Sequence, residues 1–187
     1  MNMKINNQGH LTAVMVLLLL AAGFSACNIG DETQKANKLV DEGNAAVQEA
    51  KKYLTEAEDK KQKMLQTKVA QLEQARATAK EAIAAYDKAE AKCKEASKKY
   101  DEASKLKVKD KFREYLTLKV REFNKRAELV ETMKGVPQAL IDSKNRKIFM
   151  SSAKTANDKA DKLTKEADDL GAQADKLQKD NPDILKS

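Results

Sequence analysis

Nine lysines and arginines fall within 22 residues: Lys105, Lys107, Lys109, Lys111, Arg113, Lys119, Arg121, Lys125 and Arg126. Across 105–147 there are 13 Lys or Arg and six Asp or Glu, a net of +7. That equals the formal charge of the whole chain, so the rest is close to balanced. A dense basic surface attracts anions such as phosphorylated lipid headgroups, wall polymers or nucleic acid. No nucleic-acid-binding motif accompanies it, so nucleic acid is not an expected partner. The alternative is a solvated face around an apolar seam. Other reactive chemistry is sparse: one histidine, His10, and two cysteines, Cys27 and Cys93. There is no Gly-rich phosphate loop and no Cys-x-x-Cys. Carboxylates stand at helix spacing from cations, as in Glu73–Arg76 and Glu56–Lys60, which reads as solvated ion pairs. The sequence therefore predicts neither an enzyme nor a metal site.

The elements that would position the basic cluster begin after a distinctive leader. Met1 to His10 is polar and carries Lys4. Leu11 to Phe24 is an apolar run of 14 residues, followed by Ser25, Ala26 and Cys27. As a helix, such a run reaches about 21 Å, against about 30 Å of bilayer hydrocarbon. It suits the apolar region of a secretory signal peptide over 1–26 better than a membrane span or a core helix.

Phe24-Ser25-Ala26-Cys27 resembles the lipobox of bacterial lipoproteins, with Phe24 where leucine is more usual. The resemblance covers the first 27 residues. It implies diacylglyceryl transfer to the Cys27 thiol, cleavage before Cys27 and acylation of the new N-terminus. Several acyl chains on one residue exceed what stable anchoring needs. In such lipoproteins an Asp after the Cys favours the inner membrane. Asn28 stands there instead, which implies the outer membrane, facing the periplasm, in a host that has one. The covalent lipid is the only group implied; no cofactor is expected. Cleavage would also remove His10, leaving no histidine for catalysis or metal binding.

The body of the chain predicts an all-α fold of long amphipathic helices, paired as an antiparallel hairpin or coiled coil. It has two prolines, no tryptophan and 35% charged residues, too little bulk for a thick core. After the connector 27–30, Asp31 and Gln34 suit the N-cap and N3 positions of a capping box. The stretch 31–134 lacks proline and reads as one long helix. Its early seam is Ala36, Val40, Val47, Ala50, Leu54 and Ala57. A second series, Leu65, Leu72, Ala79, Tyr86, Cys93 and Tyr100, recurs every seven residues but out of phase, as a stutter would.

Gly135 and Pro137 suit a left-handed C′ position and a helix first turn. A returning helix over 137–180 carries Phe149, Ala153, Ala156, Ala160, Leu163, Ala167, Leu170, Ala174 and Leu177, and a tail spans 181–187. A hairpin centred near Val136 would set Phe149 opposite Phe123 and Ala156 opposite Leu116. It would present the basic surface away from Cys27.

Two features stay open. Lys105 to Lys111 alternates with period two, which marks either a kink or a short joint with Asp110 as a new N-cap. A joint there would replace a rod by a bundle. Cys93 is either a small seam residue or, in an oxidising compartment, a thiol that links two copies. The chain is thus expected to be a lipid-anchored envelope protein with a structural or adaptor role. A helical partner or a second copy would complete its thin seam. A binding module whose basic hairpin captures lipopolysaccharide or a wall polymer is the alternative.

Overall fold

The computed structural model describes residues 32–186. It is all helical there: α1 spans Thr33–Gln66, α2 Leu72–Ser104, α3 Asp110–Met133, α4 Gly135–Asp142 and α5 Arg146–Asp180. The chain runs up and down four times. Helix α1 packs on α2, α2 also on α3, and α3 on α5, while the short α4 lies against α2 and α5. The 31–134 stretch is therefore three antiparallel helices and not one rod.

The first break falls between Leu65 and Leu72, inside the second series and just after the seam changes phase. Thr67 and Lys68 are extended, and Val69–Gln71 forms one 3-10 turn. The phase change marks a reversal of direction, not a stutter within a continuous helix. Downstream of it, Ala79, Tyr86, Cys93 and Tyr100 are all buried, whereas Leu65 and Leu72, at the reversal itself, are exposed. The second break is the joint at 105–109. Its alternating lysines suit no single helix face, so the chain leaves the helix, with Lys109 extended ahead of α3. Asp110 opens α3 without a side-chain cap.

Helix α1 starts at Thr33, with Glu32 in the N-cap position; the proposed cap Asp31 lies outside the described residues. The Glu32 carboxylate accepts from the Lys107 N–H at 3.0 Å, and the Glu32 N–H donates to the Lys107 carbonyl at 2.9 Å. The joint and the start of α1 are thereby clasped together.

The α1–α2 interface is built largely from alanine: Ala36, Ala46, Ala50 and Ala57 against Ala82, Ala85, Ala89 and Ala96. Small side chains bring helix axes toward the short end of the usual range of about 8–10 Å. Bulk is concentrated elsewhere, in Tyr86, Tyr100, Phe112, Leu116 and Phe123, all essentially inaccessible. The Tyr100 and Phe123 rings lie 5.5 Å apart. Gly43 makes room for this layer, since a Cβ there would stand 3.1 Å from the Tyr100 ring.

The turn after α3 also differs from expectation. Gly135 is not left-handed; it begins α4 almost without interruption. Its small size matters instead, because a Cβ at Gly135 would come within 2.8 Å of Ala156 Cβ. Pro137 is buried and has no N–H to give, which favours a bend where α4 folds over the bundle end. Ser143 and Lys144 follow, and Asn145 caps α5 by accepting from the Ile148 N–H at 3.0 Å.

These extra residues move the hairpin centre. Helix α5 does present its predicted face, with Ala153, Leu163, Ala167, Leu170 and Ala174 buried. However, Glu122 faces Gly171, and Lys125 and Arg126 reach Glu166 and Asp168. The register is displaced from the Phe123–Phe149 pairing by about three heptads. Phe149 packs instead with Leu140, Ile141 and Ala153 at the end capped by α4.

Candidate functional site

The nine cations do not form one surface. The antiparallel course of α2 and α3 carries the 105–109 joint back to the end where α1 begins. Lys105, Lys107, Lys109, Lys111 and Arg113 are exposed there. Lys109 Nζ donates to the Lys186 carbonyl at 3.1 Å, and Asn37 Nδ2 to the Leu185 carbonyl at 2.8 Å. The joint, the start of α1 and the tail thus meet at one end. Cys27 precedes Glu32 by five residues, a reach of at most about 18 Å. The five exposed cations therefore lie at the end where the described chain begins at Glu32; Cys27 itself lies outside the described residues.

Several of these cations are already engaged. Lys111 pairs with Glu114 at 2.8 Å, and Lys105 with Asp101. Arg113 meets Asp110 at 3.1 Å and donates to the carbonyls of Ser104, Leu106 and Val108. Arg113 therefore holds the joint in shape. Arg121 is exposed on an open groove of about 650 Å³ between α3 and α5. The groove mixes Arg113, Arg121 and Lys176 with Asp110, Glu114 and Asp180, so its charge is balanced.

The remaining three cations serve the interior or bridge helices. Lys125 joins Glu128 at 2.9 Å and Glu166 of α5 at 3.1 Å. Lys119 is 6% exposed and Glu122 is 2% exposed, which removes Lys119 from any anion-binding surface. Lys119 Nζ donates to Glu122 Oε2 at 2.6 Å, and Arg126 Nε to Glu122 Oε1 at 2.8 Å. Arg126 also reaches Asp168 at 3.2 Å. The Lys119 ammonium lies 4.9 Å from the Phe123 ring centroid. Gly171 leaves the space that the Glu122 carboxylate occupies. From α1, Lys51 faces this group; burial and the Arg126 and Lys119 charges lower its pKa.

A polar layer continues alongside. Ser97 Oγ donates to Asn124 Oδ1 at 2.8 Å, and Tyr100 Oη to Asn44 Oδ1 at 2.7 Å. Composition alone does not reveal this layer, yet its signal is present. Lys119, Glu122 and Arg126 stand at i, i+3 and i+7, on the face that carries Leu116, Phe123 and Ala127. A second ion cluster closes the bundle further along, where Lys134 contacts Asp87 at 2.9 Å, Glu90 at 2.8 Å, and Glu131. Burial raises the Glu90 pKa, but hydrogen bonds from Lys134 and Lys94 outweigh it and hold the carboxyl at about 2.

Cys93 is 2% exposed within the cluster of Ala50, Ala57, Tyr86 and Ala89. An intermolecular disulfide would require that cluster to open, so the seam role is the one the geometry supports. Burial is also the main cause that pushes its thiol up to about 11. A maleimide is expected to leave Cys93 unmodified in the folded protein and to modify it fully in urea. Rapid modification without urea would show that the α1–α2 seam opens.

Among the described residues, no group of three or more His, Cys, Asp or Glu could hold a metal ion. No described helix is long and apolar enough to cross a membrane. No family model, curated protein or solved structure matches the chain.

Proposed function

We propose that the chain is a lipid-anchored helical protein of the bacterial cell envelope, held through Cys27, with a structural or adaptor role. In a host with two membranes, Asn28 favours the outer one, facing the periplasm. One observation carries this reading: a 14-residue apolar run is followed directly by Ser-Ala-Cys, ahead of a charged, all-helical body. In this reading the leader acts as an address, and Cys27 is its only retained residue. The ion pairing of Lys105, Lys111, Lys119, Lys125, Arg113 and Arg126 favours scaffolding over capture of a polymer by the 105–147 stretch.

Cells fed a palmitate analogue are expected to label the native chain and not the Cys27→Ser chain. The variant is also expected to stay an uncleaved precursor, visible as a larger species. Equal labelling of both would end the lipoprotein reading.

A further inference from the structure

Leu65, Leu72, Ile148 and Met150 are the exposed large apolar residues of the described chain, between 39% and 48% accessible. All four lie at the bundle end remote from Glu32. Leu65 and Leu72 flank the reversal between α1 and α2. Ile148 and Met150 flank Phe149 in the first turns of α5. The apolar cluster of Met64, Ala75, Val136, Ala153 and Phe149 joins these two places into one end.

Five exposed cations share that end: Lys63, Lys68, Lys144, Arg146 and Lys147. Among the described residues, none of the five side chains forms an ion pair within 4.0 Å, although Lys63 is close enough to Glu81 to help lower that carboxyl's pKa. Asp142 is the one acid in the segments 63–72 and 142–150, and its carboxylate accepts from Gln138 Nε2. The patch therefore carries five cations and one acid, a net of +4. The Glu32 end differs: Lys105, Lys111, Arg113 and Lys186 each have a carboxylate partner.

We propose that this tip docks onto an anionic lipid bilayer. Leu65, Leu72, Ile148 and Met150 would enter the boundary between headgroups and acyl chains, and the five cations would meet lipid phosphates. Charge complementarity selects this occupant. A neutral apolar groove would bury the cations without partners. A second copy of the same tip would bring five like charges against five. A bilayer with anionic lipid offers hydrocarbon and phosphate within one layer, and the lysine and arginine stems are long enough to reach from one to the other. The inference goes beyond the anchored reading and stands without it, because the tip lies about 50 Å along α1 from the Glu32 end.

The test uses the chain from Asn28 onward, which keeps every described helix. It is expected to sediment with vesicles of phosphatidylcholine mixed with phosphatidylglycerol, not with phosphatidylcholine alone, and to be released by salt. Lys144→Glu with Lys147→Glu is expected to weaken binding by more than about tenfold. Ile148→Ser with Met150→Ser, at unchanged charge, is expected to weaken it several-fold. Lys107→Glu with Lys109→Glu at the opposite end is expected to leave it nearly unchanged. All six positions are exposed, so circular dichroism should report unchanged helix content. Absent binding, equal binding to neutral vesicles, or equal loss from the Lys107 and Lys109 variant would overturn the proposal. So would a dimer in solution scattering that the Ile148 and Met150 variant abolishes. Cys27 is absent from this chain, so a negative result here leaves the palmitate experiment untouched.

Discussion

Glu122→Ala is expected to destabilise the bundle by about 3–5 kcal/mol. The carboxylate is 2% exposed and accepts from both Lys119 and Arg126. Removing it strands Lys119, which is itself 6% exposed, and leaves Arg126 with Asp168 alone. Urea unfolding followed by helical circular dichroism measures the loss as a fall in midpoint at constant slope. The triple change Lys119→Met, Glu122→Leu, Arg126→Met removes all three charges together. It is expected to cost less than Glu122→Ala, because no charge is left unpaired at the Lys119 position. If Glu122→Ala costs under about 1 kcal/mol, the group behaves as a hydrated surface pair and the interior assignment fails.

Tyr100→Ala is expected to have a comparable effect, about 3–5 kcal/mol. The ring fills the space above Gly43, stacks at a tilt on Phe123 and lies near the Lys119 ammonium. Its hydroxyl donates to Asn44. Tyr100→Phe removes only that hydrogen bond and should cost about 1 kcal/mol. Gly43 provides an internal control. In the native protein a methyl at 43 must displace the ring. Once Tyr100 is alanine the obstruction is gone, and Gly43→Ala should recover up to about 1 kcal/mol of helix propensity. Additive effects of the two changes would mean that the ring does not pack on Gly43.

How far the sequence foretells this structure depends on which physical quantity is asked for. The face of α5 was legible, because Ala153, Leu163, Ala167, Leu170 and Ala174 repeat at four-three spacing and a helix converts spacing into direction. Its partner residues were not. Register is set by the length of the turn, and α4 lengthens that turn by a whole helix that Gly135 and Pro137 do not announce. A displacement by whole heptads leaves the face unchanged, so periodicity cannot detect it. The reversal at 67–71 was visible only as a change of phase shortly before it, between Ala57 and Leu65. Without glycine or proline at the turn, that change reads equally well as a stutter. The lysine-rich joint at 105–109 was legible as irregular, but not as a clasp on Glu32, which depends on chain direction. For the basic cluster, the sequence supplied the charge and the fold decided its use. Lys119 and Arg126 went inward with Glu122, while Lys144, Arg146 and Lys147 went to the opposite end from Lys107.

The paired hydrogen bonds between Glu32 and Lys107 have a mechanical consequence. Consider a pull applied at Glu32. There it divides between the start of α1 and the joint that connects α2 to α3, while the tail bears on α1 through Asn37 and Leu185. Tension along the long axis then loads the helices side by side, in shear, so that many contacts must yield together. Peeling α1 away on its own, one turn at a time, first requires the clasp to break.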